Sequence, residues 1–194
     1  AEDFAILNAD DDITVSWVKG LKANAVRFSV QGELDEGLFL RGRELVSRAN
    51  GSEKVLTTRD RIAIRGLHNV ENVLASLAAG LACGASPMSM AETIAGFKGV
   101  EHRMELVDEI RGVRFYNDSK ATNVDATTKA LEAFDGPLWI ILGGKDKGSD
   151  YTVLGRLLRA KARAALLIGA AAGKIERHLG IGRAPVRTPV TSLP

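Results

Sequence analysis

From residue 113 onward, short apolar runs alternate with segments of helical period, and each run ends on a glycine or a polar cluster. Residues 113–116, 138–142 and 164–168 read as strands; 124–134, 151–162 and 174–179 read as helices. That alternation leaves few folds open. Parallel neighbours need a long crossover, helices supply it, and the expected fold class is α/β with a parallel sheet. Such sheets bind ligands at the carboxyl ends of their strands. The loops 117–123 and 143–150 are therefore expected on one functional edge, the second after a buried strand.

The first half has another texture. Residues 4–7 read as a short buried strand, closed by the polar loop Asn8-Ala9-Asp10-Asp11-Asp12, and 13–20 as a short helix. Runs at 26–30, 37–40 and 61–64 are β-like and are punctuated by Gly, Asn, Ser and Glu, as in hairpins or a meander. Helical period begins at Asn69, with Val70, Val73, Leu74, Leu77, Ala78 and Leu81 on one face, Gly84 as its cap and Pro87 as a stop. Residues 90–97 form a second expected helix, ended by Gly99, and a second unit is expected from Val100. Gly99 to His102 reads as a hinge, because glycine absorbs backbone rotation. Both ends of the chain read as cut: Ala1-Glu2-Asp3 runs straight into an apolar strand, and the chain stops at Pro194.

Composition narrows the function classes. Among 194 residues, 26 Lys+Arg against 24 Asp+Glu give a net charge of +2, which is no electrostatic footprint for nucleic acid or a membrane surface. The densest basic run, 156–163, alternates with Leu and Ala at helical spacing and reads as a solvated helix face. Cys83 is the only cysteine, so no internal disulfide is available; that suits a reducing, cytoplasmic setting, and Cys83 reads as a small buried apolar residue. No run has transmembrane length and no signal peptide opens the chain.

Two loops concentrate chemistry. Asn117-Asp118-Ser119-Lys120-Ala121-Thr122-Asn123 joins a strand to a helix. Turn formation and N-capping account for its Asn, Asp, Ser and Thr residues as well as ligand binding does. Lys120 fits capping poorly, since a cation opposes the helix dipole unless a ligand anion sits there. Gly143-Gly144-Lys145-Asp146-Lys147-Gly148 offers accessible backbone and positive charge. It is not a P-loop. Gly169-Ala170-Ala171-Ala172-Gly173-Lys174-Ile175 is not one either, being a residue short and lacking the Ser or Thr that holds magnesium; it reads as an ordinary strand-to-helix turn. His68, His102 and His178 have no metal-ligand spacing; His178 reads as surface, and His102 stands beside Arg103. The residues alone reach an anion site on a parallel α/β sheet.

Four segments, taken in order, resemble the Mur ligase family: Gly66-Leu67-His68-Asn69-Val70-Glu71-Asn72, then Phe97 to Glu105 around His102-Arg103, then Asn117 to Asn123, then Gly143 to Gly148. The D-S-K-A-T-N loop is similar to that of the D-glutamate-adding branch. The resemblance implies that residues 1–99 are the C-terminal half of a P-loop-type central ATPase domain, and that 100–194 are a truncated, Rossmann-like parallel-sheet C-terminal domain. It implies an ATP-dependent ligase that adds D-glutamate to UDP-N-acetylmuramoyl-L-alanine through an acyl phosphate, in cytoplasmic peptidoglycan precursor synthesis. ATP and Mg2+ are the implied cofactors, with the P-loop, the magnesium ligands and a carbamylated lysine expected upstream, so that the fragment alone is inactive.

By the same resemblance, Asn69, Asn72, His102, Arg103 and Asp118 face the nucleotide, Asp118 toward the ribose hydroxyls. Lys120 and Arg103 serve the reacting phosphates, and Thr122 and Lys147 hold the D-glutamate carboxylates. Lys145 matches nothing and reads as a solvated charge. Cations suit a reaction in which negative charge stays on phosphoryl oxygens. Two rivals remain at this stage: a folylpolyglutamate-synthase-type ligase, against which the D-S-K-A-T-N loop speaks, and a non-catalytic nucleotide-binding module that retains the fold.

Overall fold

A computed structural model describes residues 3–180. Ala1, Glu2 and residues 181–194 lie outside them, and with them the expected cut ends. The chain falls into two compact units, the first ending at Lys120 and the second starting at Ala121.

The first unit is built on a five-stranded sheet in sequential order, β1 (Phe4–Asn8), β2 (Asn24–Ser29), β3 (Gly37–Arg41), β4 (Glu44–Ala49) and β5 (Ser52–Thr58). The first three strands run parallel, and β3, β4 and β5 are antiparallel. The short helix α1 (Asp12–Trp17), capped by Asp11 through the Ile13 N–H, makes the crossover from β1 to β2. Helix α2 (Leu67–Ala82) lies against β1, β2 and β3, and α3 (Pro87–Gly96) against α2 and β5.

The helical period read from Asn69 onward is what makes α2 the core helix. Val70, Val73, Leu74, Leu77 and Ala78 pack on Phe28, Leu38, Leu45 and Leu56. Leu74 is fully buried, and truncating such a leucine to alanine costs about 2–5 kcal/mol. The helix ends as a Schellman cap: Ala85 N–H reaches Gly80 C=O, Gly84 N–H reaches Leu81 C=O, and Gly84 is left-handed. Pro87 does not merely stop this helix; it opens α3, where a missing N–H costs nothing.

Several expectations need correction. Residues 61–64 are not a strand; the 3-10 turn Arg59–Arg61 ends at the first of them and the rest are irregular. The missed strands β4 and β5 are joined by Asn50-Gly51, both at positive φ, with Ala49 facing Ser52. That is the Asn-Gly two-residue turn whose twist matches the strands, and it was legible. The polar and charged start of β5, Ser52-Glu53-Lys54, hid that strand. Phe4 is exposed and only Leu7 of β1 is buried. Cys83 is exposed rather than buried, because it follows α2 at the cap, off the packed face.

Beyond α3 a hairpin, β6 (Glu105–Ile110) with β7 (Val113–Asn117), turns at Arg111-Gly112. β7 thus belongs to a two-stranded antiparallel sheet, whereas β8 (Leu138–Gly143) and β9 (Ala162–Ile168) form a parallel pair. The loops 117–123 and 143–150 therefore follow strands of different sheets, and not the single parallel sheet expected. Charge in Glu105–Ile110 concealed the partner that β7 takes.

In the second unit α4 (Val124–Glu132) is capped by Asn123, α5 (Gly155–Lys161) follows a 3-10 turn at Thr152–Leu154, and α6 (Ala172–Leu179) follows the turn at Gly169. Leu131, Leu154, Leu158, Ala171, Ile175 and Leu179 form its core against Leu138, Ile140 and Leu142. β8 was expected to be buried; its other face, with Trp139 and Ile141, is exposed among the described residues. The basic run at 156–163 is largely solvated, as expected, except Lys161. The Lys161 ammonium donates to the carbonyls of Leu131 (2.9 Å), Glu132 (3.2 Å) and Phe134 (2.8 Å), closing the end of α4. No described helix is long and apolar enough to cross a membrane.

Candidate functional site

In the first unit the expected residues gather at the base of the β6–β7 hairpin. The segment before β6 turns sharply, with Arg103 N–H bonded to Val100 C=O at 3.2 Å. β7 ends at Asn117, which brings the polar loop back to this turn. Lys120 N–H donates to His102 C=O at 3.0 Å, and Met104 N–H donates to Asp118 Oδ1 at 3.1 Å. The Asn117 side-chain amide meets His102 Nδ1 at 2.9 Å. With that amide donating, Nδ1 is the acceptor and the ring proton sits on Nε2. His102, Arg103, Asp118 and Lys120 are thus one backbone-linked group, 15–18 residues apart in sequence across the hairpin.

Electrostatics single out Asp118. Burial pushes its carboxyl above the ordinary aspartate value, opposed by the Met104 N–H and by the positive charge of Arg103 and of His68. Its Oδ1 is engaged, and the residue is half-buried, while Arg103 and Lys120 are exposed.

Asn69 and Asn72 lie on the first turns of α2. Asn69 is buried; its amide donates to Arg65 C=O, and its Oδ1 accepts from the Asn72 amide at 3.3 Å. Asn69 therefore secures the start of α2, where no side chain caps Gly66. Asn72 is exposed beside it.

In the second unit, Thr122 is exposed just before the Asn123 cap, whose Oδ1 accepts from Ala126 N–H at 2.8 Å. Capping therefore explains Asn123 and leaves Thr122 unaccounted for. Lys145 and Lys147 are both exposed on the loop after β8. The residue between them carries the contacts of this loop. Asp146 binds the Lys174 ammonium at 3.2 Å, accepts from Gly148 N–H at 3.0 Å and from the Tyr151 hydroxyl at 3.3 Å. The Lys174 partnership is the main reason its carboxyl is held below the ordinary value. Twenty-eight residues separate that pair, and no local signal announces it. Gly169 to Lys174 is the strand-to-helix turn expected, with Ala171 N–H on Gly144 C=O at 3.0 Å. His178 is not a plain surface residue: Nδ1 accepts from Tyr151 N–H at 3.2 Å and lies 3.3 Å from Asp150.

This is the architecture of the Mur-type peptide ligases. The structure of MurF from Acinetobacter baumannii matches with a TM-score of 0.73 over 91% of this chain and 41% of that one, at 18% identity. MurC from Thermotoga maritima matches with a TM-score of 0.62, covering 90% of this chain and 40% of that one, again at 18% identity. Such identities speak for the fold alone.

Sequence goes further. Residues 102–190 match the family described as Mur ligase, glutamate ligase domain. A UDP-N-acetylmuramoylalanine–D-glutamate ligase of Solibacter usitatus is 50% identical over 179 residues, 92% of this chain and 40% of that protein. Its counterpart in Koribacter versatilis is 47% identical over 178 residues, 91% of this chain and 39% of that protein. The chain belongs to the Mur ligase family, and it spans about 40% of the length of these relatives.

Proposed function

We propose that this chain is part of an ATP-dependent ligase joining D-glutamate to UDP-N-acetylmuramoyl-L-alanine. Residues 1–99 would belong to its central, ATP-binding domain and 100–194 to its C-terminal domain. One observation carries the reading: a relative named for that reaction matches 92% of the chain at 50% identity.

The donor set fits a nucleotide. Asp118 offers a half-buried carboxylate to vicinal ribose hydroxyls, with Oδ1 fixed by Met104. Arg103 and Lys120 carry exposed cations beside it, suited to phosphoryl oxygens, and His102 offers a ring N–H. Asn72 faces the same ligand from α2, with Asn69 holding it in place. Bound ATP with its magnesium would supply the phosphoryl group that turns a muramoyl-alanine carboxylate into an acyl donor. Among the described residues no group of three His, Cys, Asp or Glu side chains stands ready for a metal ion, so no magnesium ligand is assigned here. Thr122 and Lys147 bind the two carboxylates of D-glutamate, a ligand that demands donors and positive charge.

The test uses the full-length parent enzyme. Phosphate release should require both UDP-N-acetylmuramoyl-L-alanine and D-glutamate. Release with a folate acceptor and L-glutamate instead would move the chain to the rival ligase class.

A further inference from the structure

Arg103 stands between two residues whose backbones are in the left-handed region. His102 has φ 64° and Met104 has φ 46°, and neither is glycine. Such conformations persist only where the surroundings over-determine them. At Met104 the restraint is Asp118, through the N–H bond at 3.1 Å. At His102 it is Glu105, whose Oε2 accepts the His102 backbone N–H at 2.7 Å. The Lys120 N–H and the Asn117 amide hold the His102 carbonyl and ring.

Asp118, Asn117 and Lys120 belong to the loop already assigned. Glu105 has no assigned role. It is the first residue of β6, its backbone is secured in the hairpin by pairing with Asn117, and its side chain is about one-third exposed, outside both hydrophobic cores. The fold does not need that carboxylate for packing. Its bond reaches back three residues, as the Glu of a capping box does, and pins one peptide group. Release of that peptide lets His102 relax to negative φ, and rotation there redirects Arg103.

We propose that Glu105 is a positioning residue: its carboxylate fixes the left-handed turn at His102 and so aims the Arg103 guanidinium at the nucleotide phosphates. This rests on the reading above that Arg103 meets ATP. The decisive atom is a hydrogen-bond acceptor, not a charge, so the amide should serve in its place.

The experiment is steady-state kinetics and thermal unfolding on the full-length parent enzyme carrying Glu105→Ala, Glu105→Gln or Arg103→Ala. Glu105→Ala should raise KM for ATP about ten-fold, the effect of one lost hydrogen bond to a charged group, with KM for D-glutamate and the unfolding midpoint unchanged. Glu105→Gln should restore most of the ATP affinity. If Glu105→Ala does not fold, Glu105→Asp, which keeps the charge and withdraws the acceptor, carries the same expectation. A normal KM for ATP in Glu105→Ala, with a raised one in Arg103→Ala, overturns the positioning role and leaves the functional reading intact. Failure of Glu105→Gln to rescue also overturns it. A normal KM for ATP in Arg103→Ala overturns the nucleotide reading and the positioning role together.

Discussion

Lys145 and Lys147 share a loop, a charge and an exposed setting. Only the proposed partner separates them, which makes the pair its own control. In the full-length parent, Lys147→Ala should lose a charge-assisted hydrogen bond worth about 1.5–3 kcal/mol, or about one to two orders of magnitude in KM for D-glutamate. KM for ATP should stay near its original value, and Lys145→Ala should change little. Equal small effects from both would remove Lys147 from the site. Asp118 gives a second test at this scale, read in pH. Its folded-state pKa is raised, chiefly by burial, so protonation favours the folded form. The stability it contributes is full below the ordinary aspartate value and is lost as pH rises through the raised one. Asp118→Asn removes that titration. Its unfolding midpoint should exceed that of the unsubstituted protein at neutral pH, with the gap closing in acid; a gap independent of pH would contradict the assignment. Residue types were legible at both places, since a carboxylate and a lysine in strand-end loops carry their chemistry openly. The roles of Asp146 and Glu105 were not, because each depends on a partner that the turn or the fold delivers.

At the scale of elements, two connections carry the second unit. Gly143 ends β8 at φ 148°, and a Cβ there would lie 1.8 Å from Ile168 O. A backbone oxygen cannot move aside without breaking the β8–β9 ladder. Gly143→Ala should destabilise the unit by about 3 kcal/mol or more in denaturant unfolding. An alanine variant of unchanged stability would mean that the loop accommodates a side chain. Lys161 closes the end of α4 with three carbonyl contacts. Lys161→Ala should cost about 1–3 kcal/mol and raise amide exchange in the last turn of α4 before elsewhere. Uniform exchange across the unit would argue against a local cap. Element types followed from period in α2, α4, α6 and β9. The β4, β5 and β6 strands escaped because charged residues interrupt their apolar pattern, and pairing, not burial, defines them.

For the chain as a whole, the sequence contains no complete P-loop, so nothing in it cradles β- and γ-phosphates. The purified 194-residue chain should release no phosphate with ATP, D-glutamate and UDP-N-acetylmuramoyl-L-alanine together; D-glutamate-dependent release would refute that. Its two hydrophobic cores are separate, one drawn from residues 6–94 and the other from 124–179. The sequence by itself determined the α/β class, the core face of α2, the strand-to-helix turns at Gly143 and Gly169, and the loops that carry chemistry. These are local properties: period, turn residues and functional groups are written in neighbouring positions. Tertiary structure alone decided that β7 pairs with β6 and not with β8, and that one face of an apolar β8 stays exposed. It also decided that His102, Arg103, Asp118 and Lys120 meet, and that Asp146 finds Lys174. None of these is written in a single stretch of sequence: each is set by which strand edges and side chains the packed chain brings within hydrogen-bonding reach.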